Sequence, residues 1–408
     1  MGKREPSRRE FLSFAARWGA LAGAGALCAS DPVHRLLGLD PAAQGLKDLL
    51  KTAPRARYWL AQGDPSCGDC HEQAVDPKGK YRHQARAVQC LLCAHRCAIA
   101  EGERGRCGAR MNVRGELRSL VYGRPITEHV DPIEKKPFFH FLPGAAAYSF
   151  GTSGCPLRCR FCQNWEISQA KPEDYAVEPC PPEAMASRAR GRSAPVVAFT
   201  YNEPTVFAEY VTDVARAARK IAVRSVLVSC GFMNEAPLRD MIDVLDAIKI
   251  DLKGYSPEFY RKVSGAELQP VLRSIRQVAK AGRHLEIVNL VVPTLNDSPA
   301  MLTELSKWVA GEAGAEVPLH FTRFHPDYQL LNLPPTPVST LEQAREAAMK
   351  QGLKYVYVGN VPGHPGNHTY CPKCGRIVIE RSGFFTVKIS MKMGACAFCG
   401  QKIAGVWV

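Results

Sequence analysis

Three cysteines, Cys155, Cys159 and Cys162, sit in the run GTSGCPLRCRFCQNW, directly after the apolar segment AAYSF. Thiolates this close can hold three irons of one four-iron cluster. A fully ligated cubane takes four cysteines, so one iron stays open for another ligand. An open iron beside a strand end is a place for chemistry as well as electron storage. A structural zinc site needs four ligands, usually from paired C-x2-C knuckles, and no fourth cysteine lies near the trio before Cys180. The bland alternative is a set of scattered core thiols.

The chain holds 16 cysteines, mostly in short-spaced groups. That grouping favours metal ligation over a disulfide framework, and with it a reducing compartment. Cys90, Cys93, Cys97 and Cys107, in CLLCAHRC…GRCG, suit a second iron–sulfur cluster or a zinc site equally well, with His95 as a bystander or a substitute ligand. Cys371, Cys374, Cys396 and Cys399 form a two-knuckle pattern that reads as a zinc ribbon, with an auxiliary cluster as the alternative. A tail this short could hardly bury a core without such a staple. Cys67-Gly68-Asp69-Cys70-His71 matches the covalent haem motif, but extra metal ligands or free thiols are the favoured reading. Cys180 and Cys230 read as ordinary buried thiols.

Alternating elements must position these groups. Apolar runs at 146–150, 196–200, 225–228, 247–251, 285–292, 318–324 and 355–358 are separated by helical patterns at 205–220, 268–281, 301–312 and 340–352. Strands in this rhythm imply parallel βαβ units. About six units suit an α/β partial TIM barrel, with reactive groups on loops after the strand carboxyl ends. The expected division is a leader and linker over 1–55, a cysteine-rich segment over 56–145, the partial barrel over 146–360 and a zinc-ribbon-like tail over 361–408. No apolar run reaches the roughly 18 residues of an ordinary membrane span. The net charge of +14 could attract nucleic acid or an acidic partner. A solvated face is the simpler reading, and no aromatic-interleaved basic stripe marks a single-strand binder. Ser7-Arg8-Arg9-Glu10-Phe11-Leu12 reads like a twin-arginine export signal.

With Phe161 before Cys162, the spacing C-x3-C-x-aromatic-C resembles the signature of the radical S-adenosylmethionine (SAM) superfamily. The resemblance implies that the open iron chelates SAM. An electron from a low-potential donor then breaks the sulfonium–5′-carbon bond, and the 5′-deoxyadenosyl radical takes hydrogen from a substrate. Both cofactor and donor are cytoplasmic, which argues against the export reading. Phe161, Asn202, Glu203 and Asn289 are the candidate cofactor-binding residues. Asn202 and Glu203 lie in Tyr201-Asn202-Glu203-Pro204, which resembles the Gly-Gly-Glu-Pro segment of glycyl-radical activating enzymes with the glycines replaced. A helix N-terminal carboxylate is the structural alternative for Glu203.

Asp251, Lys253 and His325 are the candidate catalytic residues. Asp251-Leu252-Lys253 resembles the Asp-x-Lys segment of the same enzymes, and Asp and Lys two apart on a strand share a face. The alternative is a rim ion pair of little energetic weight. His325, in Arg323-Phe324-His325-Pro326, resembles their strand-end histidine.

From about Cys90 onward, the segments CLLCAHRCAIAEGERGRCG, LVYGRP, HVDPIEKKPFFHFLPG, CRFCQNWEISQ, TYNEPTVF, KIDLKGY, YVGNVPGH and TYCPKCG resemble the radical enzyme of the AmmeMemoRadiSam system. That family is similar to pyruvate formate-lyase activating enzymes. The resemblance implies a 4Fe-4S cluster, SAM cleavage and a protein or peptide substrate, and it adds Memo-type and AMMECR1-type partners. A non-catalytic iron–sulfur or zinc electron-transfer module is the competing class.

Overall fold

The computed structural model describes residues 41–61 and 86–408. The arginine-pair leader and the Cys67–His71 motif lie outside the described residues. Met1–Lys51 and Thr52–Val408 form two compact units. Of the first, the helix Pro41–Thr52 is described. Among the described residues no helix is long and apolar enough to cross a membrane.

The second unit is built on one eight-stranded sheet: β1 (Thr127–Pro132), β2 (Ala146–Gly151), β3 (Val196–Phe199), β4 (Arg224–Ser229), β5 (Ala247–Asp251), β6 (His284–Val291), β7 (Leu319–Arg323) and β8 (Val356–Gly359), in sequential order. Strands β2 to β8 pair in parallel. They are joined by α1 (Pro182–Gly191), α2 (Ala208–Lys220), α3 (Glu235–Ile242), α4 (Leu268–Lys280), α5 (Pro299–Glu312) and α6 (Val338–Lys350). The chain is therefore an α/β protein with a mainly parallel sheet. Buried apolar runs such as Val196–Phe199 are what a sheet covered on both faces requires. Helix α2 shows the complementary pattern, burying Tyr210, Val211, Val214, Ala215 and Ala218 while Arg219 and Lys220 stay exposed.

Strand β1 is antiparallel to β2 and was not expected from the sequence. It holds the sheet edge, exposes His129 and Val130, and ends on Pro132, a residue tolerated at an edge because no neighbour needs its missing N–H. The following segment closes one end of the sheet. Ile133, Phe138 and Phe141 pack on Ala147, Val196, Ala198, Val226 and Ala247. Ala147, Val196 and Ala247 lie at the amino ends of their strands, and the three alanines leave room for the two rings.

Behind this plug lies a buried polar knot. The Glu286 carboxylate accepts from the backbone N–H of Phe139 (3.0 Å) and His140 (2.8 Å), and from the rings of His284 (3.1 Å) and His320 (2.7 Å). Burial would raise its carboxyl pKa, but the two imidazoles hold it far below the usual range. His140 meets the Tyr357 hydroxyl, and burial pushes its pKa down to about 3. Burial also lowers His320, against the pull of Glu286.

The signs agree. His140 and His320 are held neutral when folded but take a proton near pH 6.5 when unfolded, so stability falls as pH drops through that value. Glu286 adds to the loss below about 4.5, the carboxyl pKa of an unfolded glutamate. His140 alone should cost about 2 kcal/mol at pH 5. Thermal midpoints of the metal-loaded protein should drop between pH 7 and 5, and a flat profile would contradict this account.

The tail rests on the β8 edge. Tyr355, Tyr357 and Phe139 pack against Val378, Ile379 and Ile403. The Arg381 guanidinium lies 4.1 Å over the Phe139 ring and donates to the Phe139 carbonyl (2.7 Å) and the Thr369 hydroxyl (2.8 Å). The tail sheet runs Thr369–Tyr370, Ile377–Ser382, Phe385–Ile389.

Candidate active site

A cavity of about 430 Å³ opens at the carboxyl ends of the parallel strands, with Lys135, Lys136 and Pro137 of the plug segment in its wall. Cys155, Cys159, Phe161 and Cys162 line it from the loop after β2, and Asn202 and Glu203 from the loop after β3. Cys230, Asp251 and Lys253 enter from the ends of β4 and β5.

The cysteine loop is fixed before any cofactor arrives. The Asn202 amide donates to the Gly154 carbonyl (2.8 Å) and the Thr152 hydroxyl (3.1 Å), and its oxygen accepts from Thr152 N–H (3.1 Å). Gly154 has φ +87°, and a Cβ there would come within 2.5 Å of the Cys107 carbonyl, so only glycine fits. Burial pushes the Cys155 and Cys159 thiols up, Cys159 to about 11 despite the opposing pull of Lys253. Such thiols stay protonated at neutral pH until a metal displaces the proton. Three thiols on one loop, open to a cavity with charged walls, fit a cluster that keeps one exchangeable corner.

Glu203 faces the cavity and also starts a helix. It lines the cavity, and it caps the short helix Pro204–Phe207 by accepting from Thr205 N–H (3.1 Å). It also accepts from the Thr205 and Ser229 hydroxyls and from Cys230 N–H (2.7 Å).

Asp251 sits between two ammonium groups, with Lys253 at 3.1 Å and Lys249 in direct contact. Burial would raise its carboxyl pKa, but the paired lysines hold it at about 2. Burial disfavours the Lys253 charge, yet Asp251 carries its pKa well above the usual value. The Lys253 ammonium also lies 5.7 Å from the centre of the Phe161 ring. The aromatic residue of the cysteine motif thus props the cation of the Asp-x-Lys segment.

Two expected residues do not reach the cavity. Val288 and Leu290 line it, so the intervening Asn289 points the other way and donates to the Leu252 carbonyl at 2.7 Å. There it secures the loop after β5. His325 is exposed after β7 and does not line the cavity. Conversely, Lys249, on which the sequence reading is silent, and Cys230, which it reads as an ordinary buried thiol, both line the cavity. Lys249 precedes Asp251 by two and so shares its face. Cys230 follows β4, where the strand-end rule already pointed.

The two outer cysteine groups differ in shape. In the tail, Cys371 Sγ and Cys399 Sγ are 3.5 Å apart and Cys374 Sγ and Cys396 Sγ 3.7 Å, with all four sulfurs within 4.8 Å of one another. A tetrahedral ion with Zn–S bonds of about 2.3 Å sets its sulfurs about 3.8 Å apart. Among the described residues no other cysteine group is this tight. The Cys90–Cys107 group is more open and interlocks with the first loop. His95 Nε2 lies 3.0 Å from the Pro156 carbonyl, and Arg158 donates to the Arg106 carbonyl at 2.6 Å. His95 is therefore engaged with the neighbouring loop.

The parallel α/β sheet thus brings three thiols, from the loop after its first parallel strand, into a carboxyl-end cavity. The radical SAM superfamily model matches residues 150–305. An uncharacterized protein of Methanocaldococcus jannaschii is 43% identical over 318 residues, covering 78% of this chain and 95% of that one. The pyruvate formate-lyase-activating enzyme of Listeria monocytogenes is 23% identical over 168 residues, or 38% of this chain and 66% of that one. A domain of the Bacteroides vulgatus pyruvate formate-lyase-activating enzyme overlays with a TM-score of 0.37 and 15% identity, covering 40% of this chain and 98% of that one. The chain belongs to the radical SAM superfamily.

Proposed function

We propose that this chain is an enzyme that holds a 4Fe-4S cluster on Cys155, Cys159 and Cys162, cleaves SAM reductively and abstracts hydrogen from a protein or peptide, in the manner of a glycyl-radical activase. What carries the reading is the convergence of the three thiols, Glu203, Asp251 and Lys253 on one cavity at the strand carboxyl ends. When bound, the cluster and SAM together supply a 5′-deoxyadenosyl radical. The chain's own residues bind and orient. Glu203 offers its carboxylate to the SAM ammonium, Lys253 and Lys249 offer cations to the SAM carboxylate, and Asn202 holds the cysteine loop in register. A polypeptide substrate is supported by the relatives whose names make them activators of another enzyme. Memo-type and AMMECR1-type proteins are the candidate partners by resemblance. The sheet is read as a partial barrel, flanked by the cysteine-rich segment over 56–145 and the tail over 361–408. The need for SAM and a low-potential electron donor favours the cytoplasm. Oxygen-free reconstitution with dithionite and SAM tests the reading: 5′-deoxyadenosine should form, and a cluster without product would leave an electron-transfer module instead.

The shapes of the outer groups support two different metals. The tight tail quartet fits a mononuclear zinc, and the open Cys90, Cys93, Cys97 and Cys107 group fits a second iron–sulfur cluster. The reconstituted chain should then carry roughly eight irons and about one zinc. Alanine at Cys93 should remove about four irons and no zinc, and alanine at Cys374 the zinc alone. Loss of zinc from the Cys93 variant would reverse the first assignment.

A further inference from the structure

The tail carries an apolar strip that the catalytic reading does not use. Phe385, Val387 and Ile389 are 67%, 62% and 47% exposed on the strand Phe385–Ile389, whose register against Ile377–Ser382 shifts at the unpaired Val387, so that Phe385 and Ile389 take opposite faces. Phe384, just before them, lines the cavity. One edge of the strand pairs with Ile377–Ser382. Among the described residues no strand pairs with its other edge, which leaves backbone N–H and C=O groups open.

An exposed apolar edge is an aggregation hazard that proteins ordinarily blunt or cover. This one is held in a fixed position. Thr386 donates to Glu134 (2.5 Å), and Asn367 donates to the Gly383 carbonyl (3.1 Å) at the hairpin turn. The surrounding charge is one-sided. Lys373, Arg376, Lys388, Lys392 and Lys402 are exposed on the tail, with Glu380 as the exposed acid among them.

We propose that the open edge of Phe385–Ile389 receives an extended, acidic segment of the substrate polypeptide as an added strand, and that Phe384 hands the chain on into the cavity. Main-chain hydrogen bonds would give affinity, and the exposed apolar side chains of Phe385, Val387 and Ile389 would pack on those of the added strand. The flanking cations select acidic over basic segments. This rests on the polypeptide-substrate reading above and names where that substrate docks.

The test uses the full, metal-loaded chain and a fluorescein-labelled twelve-residue peptide alternating valine with glutamate, alongside one alternating valine with lysine. The acidic peptide should bind by anisotropy, the basic one should not, and Val387→Asp with Ile389→Asp should weaken binding at least tenfold. Amide exchange across 385–389 should slow only when peptide is added. Three results overturn the proposal: no binding of the acidic peptide, equal binding of both peptides, or undiminished binding by the double variant. Amides already protected in the free chain would also overturn it, since another segment or a second copy would then hold the edge; light scattering tells those two apart. The double variant should still form 5′-deoxyadenosine without peptide and keep its zinc, which shows that it is folded. Peptide binding without nucleoside in the wild-type chain would instead sink the catalytic reading and leave the docking edge standing.

Discussion

Alanine at Cys155, Cys159 or Cys162 is expected to reduce 5′-deoxyadenosine formation to background, whereas serine at Cys230 is expected to preserve it. All four thiols line the same cavity, so position alone does not separate them. Their supports do. The trio rides on one loop clamped by Asn202 and Gly154. Cys230 comes from β4, and its N–H is tied to Glu203. A cubane held by all four would have no corner free for SAM. The measurement is nucleoside product per chain from oxygen-free, reconstituted protein, read beside iron content and the electron paramagnetic resonance spectrum with and without SAM. A trio variant that still cleaves SAM would remove the basis for the cluster site. A Cys230→Ser spectrum altered before SAM is added would make Cys230 a ligand and close the fourth corner.

The parallel strands were legible because burial on both faces writes them as short apolar runs between amphipathic helices. The edge strand β1 was not, since half-exposed TEHVDP carries neither a continuous run nor a clean alternation. The plug escaped for a related reason. Phe138 and Phe141 follow the shape of the space above Ala147, Ala198 and Ala247, and no local period expresses a fit between distant segments. Within the site, the cysteine trio declared itself by spacing. Asn289 shows where spacing stops: one step of register decides which face a strand residue takes, and Val288 and Leu290 hold the cavity face. Lys249 obeys the same alternation and was legible in principle, two residues before Asp251. The difference in shape between the outer quartets was hidden because cysteine order does not carry sulfur separation.

Removing Glu209 should be the most destabilising single change outside the metal ligands. Arg110 and Glu209 are both buried, and the guanidinium meets the two carboxylate oxygens at 2.6 and 2.5 Å. Arg110 also donates to the Arg57 carbonyl (3.0 Å), while Arg57 N–H donates to Glu209 (2.8 Å). The pair therefore fastens the cysteine-rich segment to helix α2. Burial opposes the Arg110 charge, but Glu209, with Cys90 behind it, more than restores it. Alanine at Glu209 leaves that cation in the interior without its partner, which costs about 3–5 kcal/mol. Replacing both, with Arg110→Met and Glu209→Leu, removes the two charges together and should recover much of the loss. Denaturant unfolding of the metal-loaded protein reads both numbers. The iron count separates the causes, because Cys90 and Cys107 lie near Arg110: a Glu209→Ala protein that keeps all its iron yet loses stability isolates the ion pair. A loss under about 1 kcal/mol, the range of an exposed surface pair, would mean that the cysteine-rich segment is held by its metal and not by this contact.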